Sequence, residues 1–313
     1  MGFFSRQRKA DGWLAVALLR DGVCASRVKR QAEGRPVVKL CAFVAAEPAQ
    51  QATVLEKMAK DLHVAHFHCT TVLSGGEYQM LAVDAPSVPA EEVKTAVRWR
   101  LKDMLDFPVD QATIDVLDIP IDKGAQGRHS LFAVAARNSL IEARQNLFAG
   151  ARINVTAIDI PEMAQRNISA LVEIDSRGLA MLSFNGEGGL LTVTYKGELY
   201  LSRRIDVTIE QLRDTDHDRK HACYDKITLE LQRSLDHFDR QYNFINVVKL
   251  VLAPTGAQGL DEYLSSNLYT KVETMDLANV LDLSGTPELL DAVQQQRYFL
   301  ALGAALRHEE AAP

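Results

Sequence analysis

The sequence predicts a two-lobed α/β fold of duplicated origin, and three observations lead to that expectation. The chain has 313 residues, long for one core, so lobes of roughly 150 residues each are the natural division. The stretch "LAVALLRDGV" (Leu14 to Val23) reads as strand, turn and strand, and "LAMLSFNGEGGLLTV" (Leu179 to Val193) repeats the plan. After each opening come segments with helical spacing, so each half is strand-rich first and helical later.

The elements follow in order. From Trp13 to Val44, short β-rich runs broken at Asp21-Gly22 and Gly34-Arg35-Pro36 predict three antiparallel strands. Val54, Leu55, Met58 and Leu62 recur at helical spacing, and His68 to Leu73 and Tyr78 to Val83 then read as a hairpin turning at Gly75-Gly76. Pro89 opens a helix with Glu91 and Glu92 at the positive end of its dipole and Val93, Val97, Leu101 and Leu105 along its apolar side; it stops near Asp106-Phe107-Pro108. Strands at Ala112 to Ile119 and Leu131 to Ala136, a helix from Asn138 to Gly150 and a strand at Val155 to Ile160 complete what reads as an inserted α+β subdomain. Its expected bounds are about 86–157, within a first lobe of 1–160.

Pro161 starts a helix through Glu173, and the second lobe, 161–313, has strands from Gly178 to Ile205. In the long helix that follows, Ile227, Leu231, Leu235, Phe238 and Tyr242 form one buried face while Arg233, Asp236 and Arg240 meet water. Val247 to Leu252 is a continuous apolar strand, and a C-terminal helix at about 294–308 is expected to pack back towards the first lobe.

Composition narrows the function classes. With 47% hydrophobic and 24% charged residues the chain is neither disordered nor membrane-embedded. The absence of a run of about twenty apolar residues and of a signal-like apolar region after Met1 gives a cytoplasmic expectation. A net charge of −6, with cations spread among acids, gives no field for nucleic acid, and no nucleic-acid partner is expected. Cys24, Cys41, Cys69 and Cys223 lack CxxC spacing, which excludes a zinc ribbon and suits reduced thiols packed as small hydrophobes.

Most local motifs fail on their own chemistry. "LSGGE" (Leu73 to Glu77) imitates an ABC signature loop, but no phosphate cradle GxxxxGK[ST] accompanies it. Asp214, Asp216 and Asp218 mimic a calcium loop whose sixth position is Arg219 instead of glycine and whose twelfth is Asp225 instead of glutamate. His63, His66, His68 and Cys69, and His217, His221 and Cys223, read as solvated or hydrogen-bonded groups and not as zinc ligands, so no metal is expected. No nucleophile elbow with Ser, His and Asp is visible, so no catalytic residue is assigned. Phe3-Phe4 with Arg6, Arg8 and Lys9 reads as a solvated tail, a marginal anchor for an anionic membrane. Arg98-Trp99-Arg100 is of the kind enriched in binding surfaces, with Trp99 open to either a surface or a core role.

The stretch "VPAEEVKTAVRWRLKDMLDFPVDQATIDVLDIP" joins a Val-Pro start, an Arg-Trp helix and a Phe-Pro-Val-Asp turn to a strand. With "AVAARNSLIEARQNLFAGARINVTAIDIPEMAQRN", "KGELYLSRRID", "LELQRSLDHFDRQYNFINVVKLVLAP" and "YFLALGAALR" in that order, nearly the whole chain resembles the PilM family of type IV pilus assembly proteins. It is most similar to the variety found in mannose-sensitive haemagglutinin pilus systems. The resemblance implies an actin-like (ribonuclease H-like, ASKHA) two-lobed fold with an inserted α+β subdomain in the first lobe and a nucleotide cleft between the lobes. It also implies a cytoplasmic protein at the inner face of the bacterial inner membrane, held there through its partners. The expected partner is a PilN-like bitopic inner-membrane protein, whose N-terminal cytoplasmic peptide docks in a groove near the insert. An assembly ATPase of the secretion type is a second expected contact. Val97, Trp99, Leu101 and Phe107 are the candidate residues to line or support the groove.

In proteins of this fold each lobe offers a hairpin of strand, Asp, apolar residue and Gly that pinches the phosphates and organises magnesium. Laid on this chain, the first acid falls at Ala15 and its glycine at Ala17, and the second acid falls at Ser183 and its glycine at Asn185. Shifting the frame by several residues to bring in Asp21 or Asp206 would break the alternation of Leu14, Val16 and Leu18. Of the glycine run expected on the adenosine side, Gly256 remains. An alanine holds no magnesium, and a Cβ at either glycine crowds the approach of a phosphate. The expectation is therefore a degenerate cleft without cofactor, ATP and Mg being disfavoured, in a non-catalytic scaffold; the alternative is an actin-like ATP-binding switch or ATPase.

Overall fold

In the computed structural model, which describes residues 12–121 and 129–307, the repeated openings become two sheets of the same design. The first lobe holds β1 (Trp13–Leu19), β2 (Gly22–Lys29), β3 (Val37–Ala45), α1 (Gln51–Asp61) and β4 (His68–Val72). An excursion through β5 (Tyr78–Asp84), α2 (Val93–Leu101), β6 (Ala112–Ile119) and β7 (Ser130–Arg137) precedes α3 (Asn138–Gly150) and β8 (Val155–Asp159). The second lobe runs α4 (Pro161–Ser169), β9 (Gly178–Asn185), β10 (Gly188–Tyr195), β11 (Glu198–Ile205), α5 (Ile209–Leu212), α6 (His217–Gln241), β12 (Val247–Leu252), α7 (Leu260–Asn267), β13 (Lys271–Thr274) and α8 (Ala292–Ala305).

Strand order is β3-β2-β1-β4-β8 in the first lobe and β11-β10-β9-β12-β13 in the second. In each, an antiparallel meander of three strands is extended by two parallel strands. Period-two alternation gives each sheet two apolar faces. In the first lobe Leu14, Val16, Val23 and Ala25 pack outward on α1 and α3 through Leu55, Met58 and Phe148. In the second, Leu182, Phe184, Leu191 and Val193 pack on α6 through Tyr224, Ile227, Leu231, Leu235 and Phe238. The inner faces, with Ala15, Ala17 and Cys24 on one side and Leu179, Met181 and Val251 on the other, share one core with Ala164 and Ile168 of α4 and Phe299 and Leu302 of α8. α8 thus lies against the first lobe, where Arg30 also donates to the Leu306 carbonyl at 2.7 Å.

The insert differs from its expected bounds. β5 does not form a hairpin with β4: β4 is parallel to β1, and β5 pairs with β7 in a separate sheet of order β5-β7-β6. The inserted unit therefore runs from Tyr78 to Arg137, not 86–157, and α3 and β8 belong to the first lobe. Alternation in β7 explains how the insert is seated: Leu131 and Ala133 meet α2, while Val134 and Ala136 face Ile158, Ile160 and Met163. The cysteines are all free thiols, Cys24 and Cys69 being buried, and among the described residues no helix is long and apolar enough to cross a membrane.

Candidate functional site: the interlobe cleft and the insert

A cavity of about 450 Å³ opens between the lobes, where the β1–β2 turn (Arg20, Asp21) faces the β9–β10 turn (Gly186, Glu187). The two hairpins are equivalent residue by residue. Leu19 pairs with Gly22 and Ala17 with Cys24 in the first; Asn185 pairs with Gly188 and Ser183 with Leu190 in the second. Counting from each turn, the counterpart of Ser183 is Ala17 and that of Asn185 is Leu19. The first acid and glycine, expected at Ala15 and Ala17, thus lie two residues further from their turn than Ser183 and Asn185 lie from theirs. Ala15 is the counterpart of Met181, fully buried and outside the cleft wall, whereas Ala17, Leu19, Ser183 and Asn185 line it. A two-residue shift keeps every side chain on its own face, so alternation does not distinguish the two frames. Gly256 does not line the cavity either.

In either frame both stations lack an acid, and the neighbouring groups are engaged with one another. The Ser183 hydroxyl donates to Gln165 Oε1 at 2.5 Å, and the Gln165 amide donates to the Met181 carbonyl and Thr192 Oγ1 at 2.9 Å each. Asn185 Oδ1 accepts the Glu187 N–H at 2.8 Å, which takes up a turn amide that could face a phosphate. The Glu187 carboxylate accepts the Gly75 N–H at 2.7 Å, and Asp21 lies 3.7 Å from Arg297. On the adenosine side Arg213 Nε donates to the Thr255 carbonyl at 2.9 Å and Nη2 to Gln296 Oε1 at 3.2 Å, while Gln296 donates to the Phe184 carbonyl at 3.0 Å. Burial lowers the Arg213 pKa, with Glu210 and Arg297 acting in opposite senses behind it. A Cβ on Gly256 would lie 2.6 Å from Val293 Cγ2 and 3.2 Å from Arg213, so side chains already fill its open side.

The aligned stations offer a methyl group and an engaged hydroxyl, where a hard divalent ion favours carboxylate oxygens. Leu19 and Asn185 bring side chains where glycine would let a phosphate reach the backbone. Among the described residues no three His, Cys, Asp or Glu side chains converge as a metal site. Of the other sequence candidates, Asp216 caps α6 by accepting the Arg219 N–H at 3.0 Å, and Asp206 pairs with Lys226 at 2.8 Å. The His217 and His221 rings stack at 3.9 Å, with His221 Nδ1 hydrogen-bonded to the His217 carbonyl. Phe3, Phe4, Arg6, Arg8 and Lys9 lie outside the described residues.

On the insert, the four candidates separate. Val97 and Leu101 are fully buried beneath α2, and Phe107 is buried against Ala112 and Ala135 with the Arg137 guanidinium 4.4 Å above its ring. They support the surface and cannot line it. Trp99 is 72% exposed. Its neighbours hold the helix in place: Arg98 donates to the Val109 and Ala112 carbonyls at 2.6 and 3.1 Å, and Arg100 to the Asp84 carbonyl at 2.6 Å. Residues that the sequence reading missed are Leu19, Gln165, Arg213 and Gln296; their roles depend on which elements meet across the cleft, and no local pattern records that.

No protein-family model matches the sequence, and no curated protein matches it. Among solved structures, the PilM–PilN type IV pilus biogenesis complex superposes with a TM-score of 0.74 at 19% identity, covering 94% of this chain and 98% of that one. A Bacteroides thetaiotaomicron protein with an actin-like ATPase fold and unknown function matches at a TM-score of 0.48 and 11% identity, over 93% of this chain and 99% of that one. MreB5 of Spiroplasma citri bound to ADP matches at 0.46 and 9%, over 92% and 95%. The chain shares its fold with the PilM–PilN complex structure, with two lobes and an insert in the first.

Proposed function

We propose that this chain is a non-catalytic scaffold of a type IV pilus assembly platform, of the MshI kind found in mannose-sensitive haemagglutinin systems. It holds the N-terminal cytoplasmic peptide of a PilN-like inner-membrane protein against the insert, and so sits at the inner face of that membrane through its partner. The observation that carries this reading is the likeness to PilM along nearly the whole chain, insert included. Trp99 supports it, because a large aromatic held out from an anchored helix contributes contact area at little entropic cost. An extended peptide docking by apolar anchors and main-chain bonds requires no catalytic atom. Co-purification of the full chain with the partner's cytoplasmic tail tests the reading. Trp99→Asp is expected to weaken capture about tenfold or more; capture equal to that of the unaltered chain removes Trp99 from the groove, and no capture by either removes the partner.

The cavity between the lobes favours one alternative, an actin-like ATP-binding switch. Calorimetry and thermal melting with ATP and magnesium separate the two, since a ligand that binds the native state raises the melting temperature by mass action. The scaffold reading expects no heat and no shift. A saturable rise in melting temperature would overturn the reading of a cleft without cofactor while leaving the partner in place.

A further inference from the structure

We infer that the two lobes are clasped together by the chain's own Ser74–Glu77 turn, which fixes their relative angle without any ligand. This goes beyond the scaffold reading and rests on the geometry of the turn alone.

The turn is stiff before it reaches across. The Ser74 N–H donates to Glu77 Oε2 at 2.7 Å, and the Glu77 N–H closes back on the Ser74 carbonyl at 3.0 Å. Arg144 of α3, 6% exposed, directs Nη2 between both Glu77 carboxylate oxygens at 2.7 Å while Nη1 donates to the Val72 carbonyl at 3.2 Å. A charge-assisted contact of this kind, anchored at a second point, is strong.

Two arms then reach the second lobe. In the first, the Gly75 N–H donates to Glu187 Oε2 at 2.7 Å; Ser74 and Glu187 both line the cleft, so this bond crosses it. In the second, the Tyr78 hydroxyl donates to Glu162 Oε2 and accepts from Arg204 Nη2, which also donates to Glu162 Oε1 at 3.1 Å. Ser202 adds a hydroxyl to Glu162 Oε1 at 3.3 Å. Glu162 is 1% exposed, and a buried carboxylate is tolerated only while its hydrogen bonds are complete. Parting the lobes would strip Tyr78 from Glu162 and Gly75 from Glu187 together.

The Gly-Gly pair at the turn supplies the discriminating observation. A Cβ on Gly75 would lie 2.2 Å from Arg204 Nη1 and 3.3 Å from Glu187 Oε2, whereas one on Gly76 would meet nothing within 4 Å. Neither glycine has a positive φ, so alanine suits the backbone at both. An alanine at Gly75 therefore has to displace the end of the Arg204 side chain, whereas one at Gly76 enters open space.

The test is hydrogen exchange on the full chain as Gly75→Ala, Gly76→Ala and Glu187→Ala, read in peptides covering 73–80 and 184–190. Gly75→Ala and Glu187→Ala are expected to exchange about tenfold faster in both peptides, with Gly76→Ala matching the unaltered chain. Equal protection in Gly75→Ala overturns the clasp. If that variant does not fold, Glu187→Ala decides, and unchanged protection there overturns it equally. Neither result depends on whether the partner peptide or a nucleotide binds.

Discussion

Ser183 stands where a metal-binding acid is expected, and its surroundings oppose one. Gln165 cannot turn its amide to greet a carboxylate, because its nitrogen already serves the Met181 and Leu190 carbonyls and Thr192. Ser183→Asp would set a buried carboxylate against Gln165 Oε1, a cost of about 2–4 kcal/mol. Urea unfolding should show that loss, and calorimetry should show no magnesium-dependent ATP binding in return; a stable variant that binds would refute the account. Asp159 offers a second test. It is buried, accepts from the Ile160 N–H at 3.0 Å and Arg307 at 2.8 Å, and burial pushes its carboxyl above the usual 3.8, ahead of the downward pulls of Arg307 and Ile160. The native form then holds the proton more tightly than the unfolded form, so this group's contribution falls as pH rises from 3.8 through the native value. Asp159→Asn cannot titrate, so its stability relative to the unaltered chain should rise between about pH 4 and pH 7; a constant difference across that range would contradict the sign. That Ala15, Ala17 and Ser183 are not acids is plain in the sequence. Which of them faces the cleft is not, because a strand shifted by two looks the same until its turn is located.

The helix α2 divides its labour between faces. Leu101 is fully buried among Val83, Val97, Leu131 and Ala133, so Leu101→Ala should cost about 2–5 kcal/mol, felt first in the insert. Trp99→Ala should change stability by no more than about 0.5 kcal/mol while weakening capture of the partner tail, since a 72% exposed ring contributes little to folding. Thermal melting of both variants beside a pull-down checks the division; a large stability loss for Trp99→Ala would place the ring in a core instead. This helix could be read from Pro89, the Glu91-Glu92 first turn and the spacing of Val97 and Leu101. The partner of β5 could not. Alternation states which face of a strand is buried and says nothing about its neighbour, so the pattern pairs a strand beginning soon after Gly75-Gly76 with the nearest run, whereas it pairs with β7, on the far side of α2 and β6. For the same reason α3 and β8 looked continuous with the insert, although Phe148 and Val155 pack in the first lobe.

The two lobes meet where α4, seated on the second sheet, crosses α8, seated on the first. The repeat of "LAVALL" in "LAMLSF" announces the duplication, but the crossing depends on one small residue whose importance a single sequence cannot mark. At Gly303 the helices approach so closely that a Cβ would lie 2.2 Å from the Ala164 carbonyl oxygen and 2.7 Å from its carbon, and Asn167 Nδ2 donates to the Gly303 carbonyl at 3.0 Å. Two effects of Gly303→Ala oppose one another. Helix propensity alone would stabilise α8 by about 1 kcal/mol. Forcing the backbones apart disturbs a packed core at a cost of about 1–3 kcal/mol or more, and a contact of 2.2 Å with rigid backbone belongs at the upper end. The net expectation is a loss of about 2 kcal/mol, which in a chain of this size lowers the melting temperature by roughly 3 °C. Because α4 also carries Glu162 and Gln165, moving it should speed hydrogen exchange in β9 beside Ser183. A Gly303→Ala protein that melts at or above the unaltered chain would mean that propensity prevails and that the lobes do not meet through this crossing.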